Sequence, residues 1–575
     1  MSSSSAEARA LLGAGRVAEA EALLRQALAT GSTDAQAIHL LGFLLATRGQ
    51  AVEGTALIDR SLAMEPRNPG FLANRAQVLM LLGRVEEAER DAARATAFEP
   101  GLAQAWLVRA QALRRLGRRD ESATAARRAL HDAQQGAAAA YHLALLALES
   151  GDRAAAEIGL ARVLERNPRH AAALNTLGIL QRESGRDALA LASFARAAEA
   201  EPGNGGIQHN LGIALRAAGR PDEAHAAFVR AGSPESLANA AGLAIELERL
   251  GEARDLYARA AAARPGFADA EYGLAQVALR EHRFAEGWDG YERRFDTTPP
   301  LATASALPLP RLEPAGIGEA RRVAVTQEQG LGDQVLFSTL LPELARRGIG
   351  AVVELDPRLL GLYQRSLPGF AFVATGAPPA AFAGCDFQVA LGSLARLFRR
   401  DVESFGAQPG ALLEADAARV ATMRASIAAL AHGAEVVAVS WRSPQAGERR
   451  WLGERKSIAL ERLAAAAAPR GELLLDLQYG DVEAERREFD ARHPGRLARI
   501  PGLDLREDLE GVAAALVACT RVVTVSNATA HLAGALGVAT ELLIPRGWPP
   551  FSYWAAGANG RSLWYPSVRI AAHGG

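Results

Sequence analysis

The 575-residue sequence predicts an α-solenoid in the first half of the chain and a doubly wound α/β architecture in the second half. Three observations support this prediction. Glycines recur at a constant interval, short β-branched runs later alternate with helical segments, and a stretch rich in proline separates the two patterns. The predicted domains are a repeat array over residues 1–297, a linker over 298–320 that is either free or a strap between domains, and two α/β domains over 321–432 and 433–575.

The composition favours a soluble cytoplasmic protein without a nucleic-acid partner. The 64 basic and 65 acidic residues leave a net charge of -1, so no basic surface is indicated. Cys385 and Cys519 are too few for a disulfide framework, which suits a reducing compartment. The N-terminal residues have no signal-peptide pattern, and no stretch approaches the ~20 apolar residues that span a bilayer.

The first half is predicted to consist of tetratricopeptide repeats, whose period is about 34 residues. Seven glycines follow this period, and a small residue comes five positions after most of them: Gly15, Gly49, Gly83, Gly117, Gly151, Gly185 and Gly219. Each glycine closes the first helix of a pair, where a left-handed residue is needed. The small residue lets the two helices approach closely. We expect nine helical pairs ending near Phe295, with one shortened step between Ala224 and Ala253.

Polar residues recur at one position of the first helix in several repeats. Such helices line the concave groove of a superhelix. The residues are Asn74, His142, Thr176, Asn210 and Asn239. One interpretation is that they clamp the backbone of an extended peptide from a protein acceptor. The alternative is that they only solvate an exposed helix face, which is the usual role of polar residues.

The second half alternates predicted strands with helices, which indicates parallel sheets covered by helices. Nine strands are predicted: VAVT, AVVEL, FAFVAT, DFQVAL, EVVAVSW, ELLLDLQ, RLARI, RVVTVS and TELLIP. A helical stretch over 400–433 is the predicted junction between two small doubly wound domains, and the second sheet is expected to start at Glu435.

A glycine-rich turn, QEQGLGDQVL, follows the first predicted strand. Gly330 and Gly332 form a G-x-G pattern, but Val335 occupies the place of the third glycine of a dinucleotide fingerprint. No Gly-Lys-Ser/Thr follows, so the turn is not a phosphate-binding P-loop. Asp333 lies where the turn meets a helix. It is interpreted either as a helix N-cap or as a catalytic residue that faces the cleft between the domains.

Three further segments carry candidate ligand-binding residues. Ser526, Asn527 and Thr529 begin a helix of small residues whose N–H groups suit an anion, and His531 lies on it, as a ligand contact or as a core histidine. A loop after the first strand of the second sheet carries Arg442, Arg449, Arg450, Arg455 and Lys456, which either bind phosphate or are merely solvated. Gln478, in LQYGD, is a candidate neighbour of the nucleotide. No metal-ligand spacing is found, so no metal-dependent reaction is predicted.

These motifs in this order resemble bacterial repeat-fused glycosyltransferases: QGLGDQVLFSTLLPEL, SWRS…RKSI, LQYGD, SNATAHLAGALG and WYPSVRI. The catalytic half is similar to the lipopolysaccharide heptosyltransferases, and the overall plan is similar to the O-GlcNAc transferases. The resemblance implies a tetratricopeptide superhelix followed by a GT-B fold, with the acceptor on the first α/β domain and a nucleotide-sugar donor mainly on the second.

The resemblance also implies roles for individual residues. Asp333 matches the proposed general base of an inverting, metal-independent transfer, and the segment around His531 matches the donor-binding helix. Arg442 and Lys456 match phosphate-binding residues. Ser526 stands where family members often carry an aspartate, so no role of that acid is carried over.

Among repeat-fused enzymes the chain most resembles the flagellin glycosyltransferases, which implies flagellin as the acceptor and a CMP-activated nonulosonic acid such as pseudaminic acid as the donor. No other cofactor is implied. Three hypotheses follow: a protein glycosyltransferase whose repeats bind the acceptor, a glycolipid-directed transferase, and a scaffold whose GT-B half only binds. The absence of a basic amphipathic membrane helix disfavours the second. Ser526 is the one feature that favours the third.

Overall fold

The computed structural model of the protein describes residues 3–31, 33–443, 456–545 and 552–573. The chain divides into two compact units, residues 1–231 and residues 232–575. The first unit is entirely helical in its described part, and the second combines four further helices of the array with two parallel sheets. Within the described ranges, no helix has the length and apolar character needed to cross a membrane.

The first unit is a helical solenoid, as the spacing of the glycines predicts. Each predicted glycine follows the first helix of a pair and has a φ between 72° and 94°, a left-handed conformation that favours glycine. Its described helices are α1 (Ser3–Gly13), α2 (Val17–Ala29), α3 (Ala35–Thr47), α4 (Ala51–Met64), α5 (Pro69–Leu81), α6 (Val85–Phe98), α7 (Ala103–Arg115), α8 (Arg119–Ala129), α9 (Gly136–Glu149), α10 (Arg153–Arg166), α11 (Ala171–Glu183), α12 (Asp187–Ala200), α13 (Gly205–Ala217) and α14 (Pro221–Ala231).

Small residues allow the two helices of a repeat to pack closely. A Cβ added to Gly212 of α13 would lie 2.7 Å from the ring of Phe228 on α14, and Gly178 has the same relation to Phe194 one period earlier. Both phenylalanines are almost completely buried. The aromatic ring therefore occupies the volume that a larger residue on the first helix would need.

Four helices continue the repeat pattern in the second unit: α15 (Pro234–Glu246), α16 (Leu250–Ala263), α17 (Ala268–Arg280) and α18 (Phe284–Tyr291). A 3-10 turn, Glu292–Phe295, follows α18. Two changes account for the shortened step between Ala224 and Ala253. Helix α14 has 11 residues where α12 has 14, and the turn after α14 is shorter than the turn after α12.

The last repeat helix packs against the α/β part of the chain. Trp288 on α18 lies edge-on to Phe337 and Trp564, with ring centroids 6.0 Å apart in both cases. These three rings belong to one hydrophobic core. The compact second unit begins at residue 232 and therefore includes the last four repeat helices together with the α/β part.

The first sheet has four parallel strands in the order β3-β2-β1-β4. They are β1 (Arg322–Thr326), β2 (Gly350–Leu355), β3 (Ala371–Ala374) and β4 (Phe387–Ala390), and the helices around them are α19 (Leu331–Ser338), α20 (Leu341–Arg346), α21 (Leu360–Ser366) and α22 (Leu394–Phe398). The strand order reverses between β1 and β4.

The predicted linker over 298–320 runs along the edge of this sheet. The backbone N–H of Leu312 donates to the carbonyl of Gln388 on β4 at 2.8 Å, and the N–H of Gln388 donates to the carbonyl of Pro310 at 2.9 Å. Ala302 is buried. The segment is therefore a strap that covers the exposed edge of β4, not a free linker.

The second sheet has six parallel strands in the order β10-β9-β8-β5-β6-β7. Nine of the ten strands in the two sheets were predicted; the C-terminal strand was not. The strands are β5 (Val436–Ser440), β6 (Leu473–Asp476), β7 (Leu497–Ala498), β8 (Arg521–Thr524), β9 (Thr540–Pro545) and β10 (Val568–His573), and the described helices are α23 (Ala417–Ala431), α24 (Leu460–Ala467), α25 (Glu483–Arg492), α26 (Leu509–Ala518) and α27 (Ala528–Ala535).

The two sheets share a topology that fixes where a ligand binds. Counted from β5, the second sheet has the doubly wound order 3-2-1-4-5-6, and the first sheet has the first four strands of the same order. Ligands of such sheets bind at the carboxyl ends of the strands where the order reverses. In this chain those positions are the loops after β1 and β4, and after β5 and β8.

We expect Gly212→Ala to destabilise the solenoid by about 1–3 kcal/mol, because the added methyl group overpacks the contact with Phe228. The matched control is Gly206→Ala in the same helix, where the position is exposed and the nearest atom is 3.5 Å from an added Cβ. That change should be neutral or stabilise the helix by up to about 1 kcal/mol. Urea unfolding followed by helical circular dichroism measures both, and equal effects of the two variants would contradict the close packing.

Candidate active site

Two short helices that follow the central strands of the two sheets meet in the second unit. Helix α19 follows β1, and helix α27 follows β8. At their contact, a Cβ added to Gly332 would lie 3.0 Å from the imidazole Cδ2 of His531. A larger residue at Gly332 would therefore crowd the imidazole of His531. The predicted residues of the glycine-rich turn and of the donor-binding helix are brought together.

Asp333 is the third residue of α19, and Gly330 is the N-cap. The Asp333 carboxylate accepts a hydrogen bond from the backbone N–H of Gly330. Asp333 is therefore not the N-cap residue itself. Its side chain, in the first turn of α19, bonds to the backbone of the N-cap residue Gly330. The side chain keeps partial exposure, which leaves it accessible for chemistry.

The surroundings of Asp333 shift its acidity strongly. Burial and, second, the nearby Glu328 carboxylate raise the pKa of Asp333 from 3.8 to about 6, although the Lys456 cation opposes the shift. Desolvation disfavours a carboxylate, and a like charge adds to that effect. At neutral pH the group is therefore mostly ionised but is a stronger base than an ordinary aspartate.

Four tyrosines from distant parts of the chain surround Asp333. Tyr272 on α17, Tyr291 on α18, Tyr553 and Tyr565 are all within electrostatic reach of its carboxylate. Burial raises the pKa of each phenol, that of Tyr272 to about 12, so all four stay protonated. The last repeat therefore contributes Tyr272 and Tyr291 to the surroundings of Asp333, which the sequence analysis did not anticipate.

Lys456 and His531 complete the centre of the site. Lys456 is buried, and its charge acts on both Asp333 and His531. Burial and then Lys456 lower the pKa of His531 to about 3, so its imidazole is neutral at physiological pH. Its Nδ1 lies 3.2 Å from the hydroxyl of Tyr565, and its ring stacks on Trp554 at 4.6 Å. His531 is thus a buried, oriented imidazole at the site and not an acid.

The residues at the start of α27 are held by side-chain hydrogen bonds. Asn527 is the N-cap: its Oδ1 accepts from the N–H of Ala530 at 3.2 Å, and its Nδ2 donates to Ser440 Oγ at 2.8 Å. The hydroxyl of Ser526 accepts from Trp554 Nε1 at 3.0 Å and also bonds with Tyr553. Asn527 is therefore a positioning residue for the helix, whereas Ser526 keeps partial exposure to the cleft.

Gln478, a predicted neighbour of the nucleotide, is held by hydrogen bonds within the protein. Its side chain is completely buried. Its Oε1 accepts from the N–H groups of Trp441 at 2.8 Å and Arg442 at 2.7 Å, and from Ser440 Oγ at 3.0 Å. Gln478 accepts hydrogen bonds from the two backbone N–H groups that follow β5, and it thereby fixes the turn before the basic loop.

Arg442 is held by an acidic partner at the rim of the second sheet. Its Nη2 lies 2.9 Å from Glu485 Oε2, and its Nε donates to the same oxygen at 3.0 Å. The side chain is 38% exposed, so it can still approach an anion from the solvent side. The other predicted basic residues of this loop, Arg449, Arg450 and Arg455, lie outside the described residues.

A buried ion pair anchors the loop that carries Asp333, and sequence reasoning missed it. Arg294 follows the last repeat helix and is completely buried. Its Nη2 lies 2.8 Å from Glu328 Oε2, and its Nε donates to the same oxygen at 3.0 Å. Glu328 Oε1 also accepts from the N–H of Gly392 at 2.8 Å. The two residues lie in the segments ERRF (292–295) and QEQG (327–330), and no sequence pattern links these segments.

The predicted groove residues of the first unit mostly bond to neighbouring repeats. Asn74 bonds to His39 and to Gln104, each at 2.9 Å. Thr176 bonds to Tyr141 at 3.0 Å, and Asn210 bonds to Asn175 at 2.9 Å. These side chains form hydrogen bonds between neighbouring repeats. A peptide that binds here would contact polar groups that already have partners within the protein.

Two of the five groove residues differ from the rest. His142 is buried and its Nε2 lies 2.8 Å from Ser122 Oγ, so it does not line a groove. Asn239 belongs to the second unit and lines a pocket of 710 Å³ with Arg264 and Phe267. In the first unit, Asn74 lines a separate pocket of 680 Å³ with His39 and Phe71.

Comparisons with known proteins bear mainly on the repeats. A family model described as tetratricopeptide repeat matches residues 141–205. Protein FlbA of Caulobacter vibrioides is 29% identical to the chain over 290 residues, which cover 47% of this chain and 47% of that protein. The chain thus spans about half the length of the curated relative that it matches.

Solved structures with some similarity are also repeat proteins or assemblies. The Cut9–Hcn1 hetero-tetramer of the APC/C has a TM-score of 0.35 and 16% identity, over 45% of this chain and 52% of that chain. A tetratricopeptide repeat protein from Parabacteroides merdae has a TM-score of 0.33 and 18% identity, over 40% and 93%. Scores this low carry no argument about function. The conclusion is that the N-terminal part of the chain contains tetratricopeptide repeats.

Proposed function

We propose that the protein is a glycosyltransferase that moves a sugar from a nucleotide-sugar donor to a Ser or Thr hydroxyl of a protein acceptor. The observation that carries the proposal is the convergence of Asp333, Lys456 and His531 at the facing switch points of two doubly wound sheets. Two such domains with a cleft between them are the arrangement of a GT-B fold. A basic carboxylate and a buried cation in that cleft match the needs of sugar transfer from a nucleotide.

Asp333 is the proposed general base. A catalytic base works best when its pKa lies near the working pH, and a pKa of about 6 meets that condition. The carboxylate takes the proton from the acceptor hydroxyl as the oxygen attacks the anomeric carbon. The bond between that carbon and the phosphate oxygen breaks, and the electron pair leaves with the nucleotide. Attack from the opposite side inverts the configuration of the sugar.

Lys456 is the proposed partner of the departing phosphate. It is a buried cation whose charge acts on both Asp333 and His531. Fixed positive charge in a site that excludes water stabilises a leaving anion far more than it would in bulk solvent. Arg442 at the rim and the N–H groups at the start of α27 would add to this stabilisation, with Asn527 holding the helix in place.

The repeats are the proposed acceptor-binding module. Tetratricopeptide arrays bind extended segments of other proteins along their curved surface. The two pockets lined by Asn74 and by Asn239 are polar and contain aromatic side chains, Phe71 and Phe267, which suits a polypeptide. Flagellin as the acceptor and a CMP-linked nonulosonic acid as the donor follow from the family resemblance, and they are part of this proposal.

A scaffold without catalysis is the second candidate. Three of the predicted donor-side residues, Gln478, Asn527 and Arg442, are engaged in bonds within the protein, and Ser526 bonds to Trp554. A domain that had lost its donor would keep such bonds because they maintain the fold. Under this alternative the repeats alone would carry the function, through protein binding.

Asp333→Asn should reduce sugar transfer by about 10²–10⁴-fold, because the positioned base is lost while the shape is kept. Transfer is measured by intact mass spectrometry of flagellin from the same cell, with CMP- and UDP-linked sugars as donors. Asp386→Asn is the control, since Asp386 is exposed at the start of β4 and only accepts from the backbone N–H groups of Arg321 and Arg322. Flagellin binding to the repeats should be the same in all three proteins. Full activity of Asp333→Asn, or loss of binding together with transfer, would contradict the assignment.

A nucleotide should stabilise the folded protein against heat in a manner that depends on Lys456. A ligand present at 100 times its dissociation constant adds about 2.7 kcal/mol of stability. Thermal unfolding with CMP, UDP, GDP and ADP identifies the nucleotide, and Lys456→Gln should weaken the effect. Exposed Arg506→Gln, with its side chain 81% exposed, is the charge-matched control. If no nucleotide shifts the transition of the wild-type protein, the scaffold alternative is favoured.

The raised pKa of Asp333 predicts a pH-dependent cost to stability. A carboxyl whose folded pKa lies above its unfolded value contributes stability below about pH 4, and this contribution is lost as the pH rises through about 6. The wild-type protein should therefore lose stability relative to Asp333→Asn between pH 4 and pH 7, by up to about 3 kcal/mol. Thermal unfolding of both proteins across this range measures the difference.

Asp386→Asn supplies a control of opposite sign for the same experiment. Hydrogen bonds from the backbone N–H groups of Arg322 and Arg321 lower the pKa of Asp386. Its contribution to stability is therefore present above the unfolded pKa and is lost as the pH falls. A difference between wild type and Asp333→Asn that does not change with pH would show that Asp333 has an ordinary pKa.

A further inference from the structure

Glu485, the third residue of α25, accepts hydrogen bonds from two other segments of the chain. Its Oε2 accepts from Trp441 Nε1 at 2.9 Å and from Arg442 Nε at 3.0 Å. Its Oε1 accepts from the backbone N–H of Leu460 at 2.8 Å. The side chain is only 21% exposed. One carboxylate therefore joins the residues that follow β5 to the start of α24.

The bond to Leu460 caps a helix that lacks a cap of its own. Leu460 is the first residue of α24, and the N-cap residue Ala459 makes no side-chain cap hydrogen bond. The first N–H groups of a helix have no partner within the helix, and a negative charge near them is favourable. Glu485 supplies both an acceptor and a charge. It thereby holds the start of α24 close to the end of β5.

Two further hydrogen bonds link the same two segments next to Lys456. The N–H of Ile458 donates to the carbonyl of Trp441 at 2.9 Å, and the N–H of Ser443 donates to Ser457 Oγ at 3.0 Å. Lys456 directly precedes Ser457 in the chain and is buried. The backbone beside this lysine is therefore fixed by the same set of bonds that the α25 carboxylate joins.

A carboxylate is an adverse neighbour for a phosphate site on electrostatic grounds. Arg442 and Lys456 are the cations proposed to meet the phosphate, and Glu485 Oε2 lies 2.9 Å from Arg442 Nη2. A negative charge near an anion site repels the anion. Electrostatics alone therefore predicts that removal of the Glu485 charge strengthens nucleotide binding, whereas its hydrogen bonds predict the opposite.

We propose that Glu485 is a positioning residue for the donor, which holds the segments that carry Arg442 and Lys456 and so strengthens phosphate binding despite its own charge. This inference rests on the proposed glycosyltransferase function and adds a residue to its donor side. The role requires a carboxylate, because both oxygens accept from N–H donors and an amide offers only one acceptor oxygen. It requires no contact between Glu485 and the ligand.

The test is calorimetric titration of the full chain with CMP, or with whichever of UDP, GDP and ADP binds the wild-type protein in its place. The proteins are wild type, Glu485→Gln, Glu485→Asp, Lys456→Gln, and the double variant that combines Lys456→Gln with Glu485→Gln. Glu488→Gln is the control. Glu488 lies on the same helix, its side chain is 70% exposed, and it pairs with Arg492 of that helix at 3.0 Å.

We expect Glu485→Gln to weaken binding about tenfold, because one of the N–H donors loses its acceptor and the segment beside Lys456 is released. Glu485→Asp keeps the charge but is shorter, so it cannot reach both Leu460 and Trp441, and binding should weaken as well. Glu488→Gln should bind like wild type. In the Lys456→Gln background, the change at Glu485 should have an effect of at most about twofold, because Glu485 acts through that lysine.

Two readouts separate a misplaced cation from a damaged fold. Partial unfolding lowers the fitted number of sites per chain, whereas a misplaced Lys456 raises the dissociation constant at an unchanged number of sites. In transfer assays, the Michaelis constant for the donor should rise while that for flagellin stays the same. If Glu485→Gln does not fold, Glu485→Asp decides the question by the same criteria.

Tighter or unchanged binding by Glu485→Gln would overturn the inference, as would a loss that is equally large in the Lys456→Gln background. A loss confined to the number of sites would give Glu485 a role in the fold alone and would contradict the proposal. If the nucleotide binds and depends on Lys456 but not on Glu485, the proposed transferase stands while this inference fails. Failure of all four nucleotides to bind the wild-type protein would count against both.

Discussion

The buried pair of Arg294 and Glu328 is the interaction on which the site depends most. It joins the segment after the last repeat helix to the loop between β1 and α19, and the Gly392 N–H ties the same carboxylate to the end of β4. Removing one partner of such a pair typically costs about 3–5 kcal/mol, because the other charge is left buried. The loop that carries Asp333 is therefore held by the segment after the last repeat helix as well as by the sheet.

The same pair also contributes to the chemistry of Asp333. Burial alone would lower the pKa of Arg294, but the Glu328 and Glu292 carboxylates outweigh that effect and raise it, so the cation is retained. The paired Glu328 carboxylate then adds to desolvation in raising the pKa of Asp333, and Lys456 limits the increase. One arrangement thus positions the Asp333 carboxylate and contributes to its raised pKa.

Sequence patterns predicted the backbone better than the side-chain partners. The phased glycines and the β-branched runs report local conformation, so the solenoid and nine of the ten strands could be inferred. The closeness of the segments that carry Asp333, Lys456 and His531 could be predicted, because strand order brings the ends of central strands together. The burial of Gln478 and His142 and the pairing of Arg442 with Glu485 could not be predicted, because they depend on contacts between distant segments. Arg294 and Arg280 were missed for the same reason.

The buried arginines of the second unit differ in whether a carboxylate pairs with the guanidinium. A desolvated guanidinium without a counter-charge destabilises a folded protein. Three deeply buried arginines of the second unit, Arg294, Arg399 and Arg486, are each paired with a carboxylate. Among the described residues Arg280 departs from this pattern, because its Nε is buried without a hydrogen-bond partner and its Nη1 donates to the neutral Gln276. Natural proteins keep such locally unfavourable groups mainly at functional sites, where a ligand completes the interaction. The guanidinium of Arg280 and the Asp333 carboxyl with its raised pKa are two such groups in the second unit.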